Sequence, residues 1–132
     1  MASTILIIDD NPDDIEITKI VLAELGRQEE VAAMLHGRGA LEYLRKGYGN
    51  GLPSLILLDL KMPGLSGIDT LRQIRADEQL KHIPVVIVTS SSLMADEKEA
   101  YDAGADNFLN KAFNIDQFSS NLNVILRRYL TT

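Results

Sequence analysis

Three short apolar runs, each stopped abruptly by a polar residue, constrain this chain more than any other feature. Ile5-Leu6-Ile7-Ile8 ends at Asp9-Asp10, Leu55-Ile56-Leu57-Leu58 ends at Asp59, and Pro84-Val85-Val86-Ile87-Val88 ends at Thr89. Continuous aliphatic runs of this length suit strands buried on both faces, which belong to parallel sheets covered by helices. Two weaker runs, Val31 to Leu35 and Asn107 to Leu109, complete a set of five, and the last leads to Lys111.

The segments between them carry helical spacing. Asn11-Pro12-Asp13-Asp14 is a helix start, with a capping residue, a proline in the first turn and acids facing the positive end of the dipole. Ile15, Ile17 to Ile20, Val21 and Leu25 then carry helical spacing, and Gly26 is placed to stop the helix. Further helices are predicted over 38–45, with Leu41 and Leu44 inward, and after Met62-Pro63-Gly64, with Ile68, Leu71 and Ile74 on one face. Two more follow over about 94–103 and 115–130, the last with Phe118, Leu122, Leu126 and Tyr129 in register. Gly47, Gly49, Gly51 and Pro53 mark a loop. Strand and helix alternate five times, which predicts an α/β domain with one parallel sheet, right-handed crossovers and helices on both faces.

At 132 residues the chain can bury one core and is expected to be a single domain, 1–132, with no interdomain linker. Thirteen basic residues against nineteen acidic ones give 13 − 19 = −6, and no basic cluster offsets this, so nucleic acid and anionic membranes are not expected partners. The absence of cysteine excludes disulfides, thiolate metal sites and cysteine nucleophiles. No apolar run approaches membrane-spanning length and the first residues carry no signal pattern, so a cytoplasmic location is expected.

In an open α/β sheet the ligand crevice lies at the carboxyl ends of the strands. Asp9, Asp10, Asp59, Thr89 and Lys111 all fall there, from four different strands. Two carboxylates ~4 Å apart repel by about 4 kcal/mol at an effective dielectric near 20, so a cluster of three calls for a cation. Hard oxygen donors suit Mg²⁺. A metal, an ammonium and a hydroxyl together complement a phosphoryl group, and a carboxylate can accept one as an aspartyl-phosphate. Singly, each residue has an ordinary explanation: an aspartate as turn former or cap, Thr89 as a cap, Lys111 as a solvated charge. Their coincidence at successive strand ends is what turn chemistry does not produce. Asp13, Asp14 and Glu16 are read as a solvated helix face, and His36 and His82 as structural or surface residues.

Ile-Ile-Asp-Asp-Asn (7–11), Leu-Leu-Asp-Leu-Lys-Met-Pro-Gly-Leu-Ser-Gly (57–67), Ile-Pro-Val-Val-Ile-Val-Thr (83–89) and Gly-Ala-Asp-Asn-Phe-Leu-Asn-Lys (104–111) resemble the motifs of two-component response regulator receiver domains. The resemblance covers nearly the whole chain and is to the stand-alone, chemotaxis-regulator type. It implies a flavodoxin-like, doubly wound five-stranded sheet of order 2-1-3-4-5. It further implies Asp59 as phosphoacceptor, with Asp9, Asp10, Asp59 and the backbone carbonyl of Lys61 holding Mg²⁺. Thr89 and Lys111 would receive the phosphoryl oxygens, and Thr89 and Phe108 would form the switch pair.

One departure stands out. The family carries a cis Lys-Pro bond where this chain has Lys111-Ala112. A cis bond before a non-proline costs about 3 kcal/mol, against ~0.5–1 before proline, so a trans bond and a rebuilt loop over 112–115 are expected. A small residue after the lysine, with the glycine-rich stretch 46–53, resembles the regulators that serve phytochrome-type kinases.

The function implied is a signalling receiver rather than an enzyme acting on a separate substrate. It would take a phosphoryl group from a sensor histidine kinase or phosphotransfer protein onto Asp59 and switch a face that binds a downstream protein. With no output domain expected, the signal would leave by protein contact or by relay. The alternative is a receiver-like interaction module that works without phosphorylation. A phosphoester hydrolase is disfavoured because Asp59-Leu60-Lys61 lacks the Asp-x-Asp pair, and a flavin site because the first loop is acidic and tryptophan is absent.

Overall fold

The computed structural model describes residues 4–27, 29–47, 51–91, 93–111 and 114–130. Strands and helices alternate throughout: β1 (Thr4–Ile8), α1 (Pro12–Glu24), β2 (Glu30–Met34), α2 (Gly37–Lys46), β3 (Leu55–Leu58), α3 (Gly67–Ala76), β4 (Val85–Thr89), α4 (Met94–Asp102), β5 (Asn107–Asn110) and α5 (Ile115–Tyr129). All pairings are parallel and the strand order is β2-β1-β3-β4-β5. The doubly wound α/β fold expected from the sequence is therefore present, with element ends shifted by a residue or two.

Because side chains alternate across a strand, each apolar run feeds two cores at once. Leu6, Ile8, Ile56, Leu58, Val85 and Ile87 pack with α2, α3 and Ala100 of α4. Ile5, Ile7, Leu55, Leu57, Val86 and Val88 pack with α1 and α5 on the other face. The three runs are hydrophobic throughout because neither face of the central strands meets water.

Helix α1 starts and stops as its sequence requires. The Asn11 side chain accepts from the backbone N–H groups of Asp13 and Asp14 at 2.9 and 3.4 Å, with Pro12 in the first turn. Gly26 then takes φ +75°, where a Cβ is disfavoured. Its stripe differs from the expected one. Ile15, Thr18, Val21 and Leu22 are buried, whereas Ile17 and Ile20 are exposed. Thr18 can face inward because its hydroxyl donates to the Asp14 carbonyl at 2.9 Å. Leu35, read as the end of the second strand, lies one residue beyond it and is exposed. The bond between Lys111 and Ala112 lies outside the described residues. The chain is described again from Asn114, whose side chain caps α5 by accepting from the Gln117 N–H at 3.2 Å.

Candidate phosphoryl and metal site

The polar residues that stop the strands meet at one edge of the sheet. Asp9 directly follows β1, and its N–H donates to the Met34 carbonyl at 3.0 Å. Asp59 follows β3 and donates in the same way to the Ile8 carbonyl at 2.9 Å. Ladder bonds thus carry the sheet one residue past each strand and fix both carboxylates side by side. Lys111 follows β5, held by its N–H to the Thr89 carbonyl at 2.7 Å.

The Lys111 ammonium donates to Asp9 Oδ2 at 2.7 Å, Asp14 Oδ2 at 2.9 Å and Asp59 Oδ2 at 3.3 Å. An ammonium has three protons, so all its donors are engaged. Asp9 and Asp59 are buried and Asp10 is half-buried. Burial raises the Asp9 carboxyl above its ordinary pKa, against the lowering effect of hydrogen bonds from Lys111 and the Asn11 N–H. Burial would lower the Lys111 pKa, but the bonds to Asp14 and Asp9 and the charge of Asp59 outweigh it, so the net shift is upward.

Asp9, Asp10 and Asp59 each offer a carboxylate oxygen, and these atoms lie within 4.8 Å of one another. Three hard anionic donors converging on one point fit a divalent cation. Counting Asp14, four carboxylates face one ammonium, so a further positive charge is electrostatically favoured there.

The remaining expected residues are placed as follows. Thr89 is fully buried at the end of β4, and its hydroxyl accepts from the Ser91 N–H at 3.3 Å. Phe108 pairs with Ile87 across β4 and β5 and is half-buried against the α2–α4 core. The Lys61 N–H points to Asp59 Oδ1 at 3.4 Å, while its ammonium lies 3.4 Å from Asp96 rather than over the acidic pocket. Gly67 closes the loop after β3, donating from its N–H to the Leu60 carbonyl at 3.0 Å. A Cβ there would stand 2.0 Å from the Asp59 carbonyl oxygen, so only glycine fits.

Asp14 corrects the sequence reading. It belongs to the pocket rather than to a solvated face, whereas Asp13 and Glu16 are exposed as expected. Side chains in a helix lean toward its N-terminus, and the third residue of α1 therefore leans toward the strand ends. That lean was the available signal. Asp96, bonded by Lys61 and Ser91, carried no such signal.

Comparison with known proteins accords with this geometry. The response regulator receiver domain family matches residues 5–123. This chain belongs to that family. Among receiver proteins it is 36% identical to chemotaxis protein CheY-3 of Vibrio cholerae over 124 residues, 94% of this chain and 92% of that protein. It superimposes on the phosphorylated cyanobacterial phytochrome response regulator RcpA with a TM-score of 0.89, at 32% identity, covering 99% of this chain and 96% of that one. The receiver domain of the sensor histidine kinase PA1611 of Pseudomonas aeruginosa has a TM-score of 0.80 at 27% identity, covering 98% of each chain, and its structure holds a magnesium ion in the active-site cleft. Receivers are signalling modules that work with histidine kinases and effectors. No helix of this receiver, among the described residues, is long and apolar enough to cross a membrane.

Proposed function

We propose that Asp59 is the phosphoacceptor of this response regulator receiver, loaded by a sensor histidine kinase or phosphotransfer protein. The carrying observation is the buried Asp59 carboxylate, flanked by Asp9 and Asp10 and touched by Lys111. One Asp59 oxygen forms the new bond to phosphorus as the bond to the donor imidazole nitrogen breaks. Asp9, Asp10, Asp59 and the Lys61 carbonyl would hold Mg²⁺. When bound, the ion supplies charge neutralisation for the phosphoryl oxygens.

Lys111 would exchange its bond to the Asp59 carboxylate for one to a phosphoryl oxygen. The Thr89 hydroxyl would donate to another, releasing its bond from the Ser91 N–H. Thr89 and Phe108 would then shift together, since β4 and β5 are paired at Ile87–Phe108 and Thr89–Asn110. Water attack on phosphorus later returns inorganic phosphate and the carboxylate. The chain so described catalyses its own loading and unloading, acts in the cytoplasm, and signals by protein contact without nucleic acid or membrane.

Intact mass after incubation with a small-molecule phosphodonor, with and without Mg²⁺, tests this. A Mg²⁺-dependent gain of one phosphoryl group, absent in Asp59→Asn, is expected. Labelling that persists in Asp59→Asn overturns the assignment. No labelling by either the donor or a cognate kinase leaves the phosphorylation-independent interaction module as the better reading.

A further inference from the structure

One carboxylate in the first turn of α4 gathers groups from both loops that border the acidic pocket. Asp96 Oδ2 lies 3.4 Å from the Lys61 ammonium and accepts a hydrogen bond from the Ser91 hydroxyl. Lys61 stands two residues beyond Asp59, and Ser91 two beyond Thr89. Ser91 is itself well tied: its Oγ accepts from the Leu93 N–H at 3.3 Å and its carbonyl from Asn110 Nδ2 at 2.6 Å. Leu93, the capping position of α4, offers no side-chain bond. Ser91 therefore serves that helix end, and Asp96 reaches outward to Lys61.

The two sides of this contact differ in character. The Ser91 bond is short-range and half-buried, whereas the Lys61 side chain is 65% exposed. An ion pair with one partner so exposed is weak and screened by salt, and it yields to a stronger anion within reach. A phosphoryl group on Asp59, two residues back along the chain, would be such an anion, with about −1.5 to −2 charges and three acceptor oxygens against one charge on Asp96.

We propose that Asp96 is a positioning residue that holds the Lys61 ammonium away from Asp59 in the unphosphorylated chain and surrenders it when Asp59 is loaded. This rests on Asp59 being the phosphoacceptor. The first turn of α4 then feels the state of Asp59 through competition for one ammonium, and linkage requires that Asp96 oppose loading by the same factor.

Beryllium trifluoride, an anion that mimics a phosphoryl group on a carboxylate, tests the competition at equilibrium. Its affinity would be measured by calorimetry in saturating Mg²⁺ for the unaltered chain, Asp96→Asn, Lys61→Met and the double variant. Asp96→Asn is expected to bind it about 1.5- to fivefold more tightly, the range of a weak ion pair. The gain should shrink as salt rises. Lys61→Met is expected to bind less tightly, and in that background Asp96→Asn should change nothing. A gain from Asp96→Asn that survives in Lys61→Met, or no gain with Lys61 present, overturns the proposal. Failure of all four chains to bind beryllium trifluoride, while thermal melts show them folded, instead overturns Asp59 as acceptor.

Discussion

The Lys111 ammonium stands 2.9 Å from Asp14 Oδ2, joining the loop after β5 to the first turn of α1 across 97 positions of chain. This bond gives the ammonium a seat outside the pair Asp9 and Asp59. A cation that draws on Asp9 and Asp59 must weaken their bonds to Lys111, and Asp14 is the partner that remains. Asp14 thus shares Lys111 rather than competing for the cation's place.

Asp14→Asn is accordingly expected to weaken divalent-cation binding. It removes one nearby negative charge and leaves Lys111 leaning harder on Asp9 and Asp59. A single charge at this range contributes about 1 kcal/mol, or roughly fivefold in affinity. Calorimetric titration of Mg²⁺ into the two chains measures it. Equal affinity would mean that Asp14 does not act on the metal site.

Lys111→Met removes the ammonium from between three carboxylates, and the resulting repulsion should lower stability in chelator. Added Mg²⁺ should restore more stability to this variant than to the unaltered chain. The effect also depends on pH. The folded pKa of Lys111 lies above its ordinary 10.5, so its stabilising contribution is complete below about pH 10.5 and is lost as pH rises beyond. The difference in urea midpoint between the two chains should therefore shrink above that pH. A difference that grows on the alkaline side would contradict the bonding seen here.

Much of this was legible from residues 5–8, 55–58 and 84–88 alone, because strands buried on both faces leave no polar position until they end. The polar stops were then forced to one edge of the sheet, which is why Asp9, Asp10, Asp59 and Lys111 could be named together. Asp14 was harder to see, since an acid in a first helical turn is already explained by the dipole. Asp96 was hidden for the same reason. Its pKa is lowered by the Ser91 hydrogen bond and by Lys61, contacts that cross between loops and leave no local pattern. Ile17 and Ile20 misled because α1 is apolar on more than one side, and only its packing into the core shared by the sheet and α5 decides which side is buried.

Gly67→Ala tests how tightly the loop after β3 is drawn against the site. The added methyl would meet the Asp59 carbonyl oxygen at 2.0 Å and the Leu60 Cα at 2.7 Å, both backbone atoms that cannot rotate aside. Relief requires moving either α3 or the strand end that carries Asp59. A loss of about 1–3 kcal/mol is expected from urea unfolding. Mg²⁺-dependent labelling should fall as well, because the displaced backbone bears Asp59, the proposed acceptor. Unchanged labelling in a destabilised chain would show that α3 moves and Asp59 does not.

Stability at acid pH should depend on a pair remote from the site. Arg27 Nε donates to Glu29 Oε1 at 3.0 Å and Nη2 to Oε2 at 2.5 Å, with both side chains largely shielded. Burial alone would raise the Glu29 pKa, but the two bonds and the charge of Arg27 outweigh it and bring it below the ordinary 4.5. A carboxylate so lowered stabilises the fold fully above about pH 4.5 and ceases to do so as pH falls through its folded pKa. Glu29→Gln keeps the shape and removes the charge, at a cost of about 1–3 kcal/mol near neutral pH. That cost should fade as pH drops below 4.5, where the unaltered chain loses the same charge by protonation. Urea unfolding of both chains between pH 7 and pH 3.5 measures the convergence, and a constant gap across that window would place the pair's contribution in packing rather than charge.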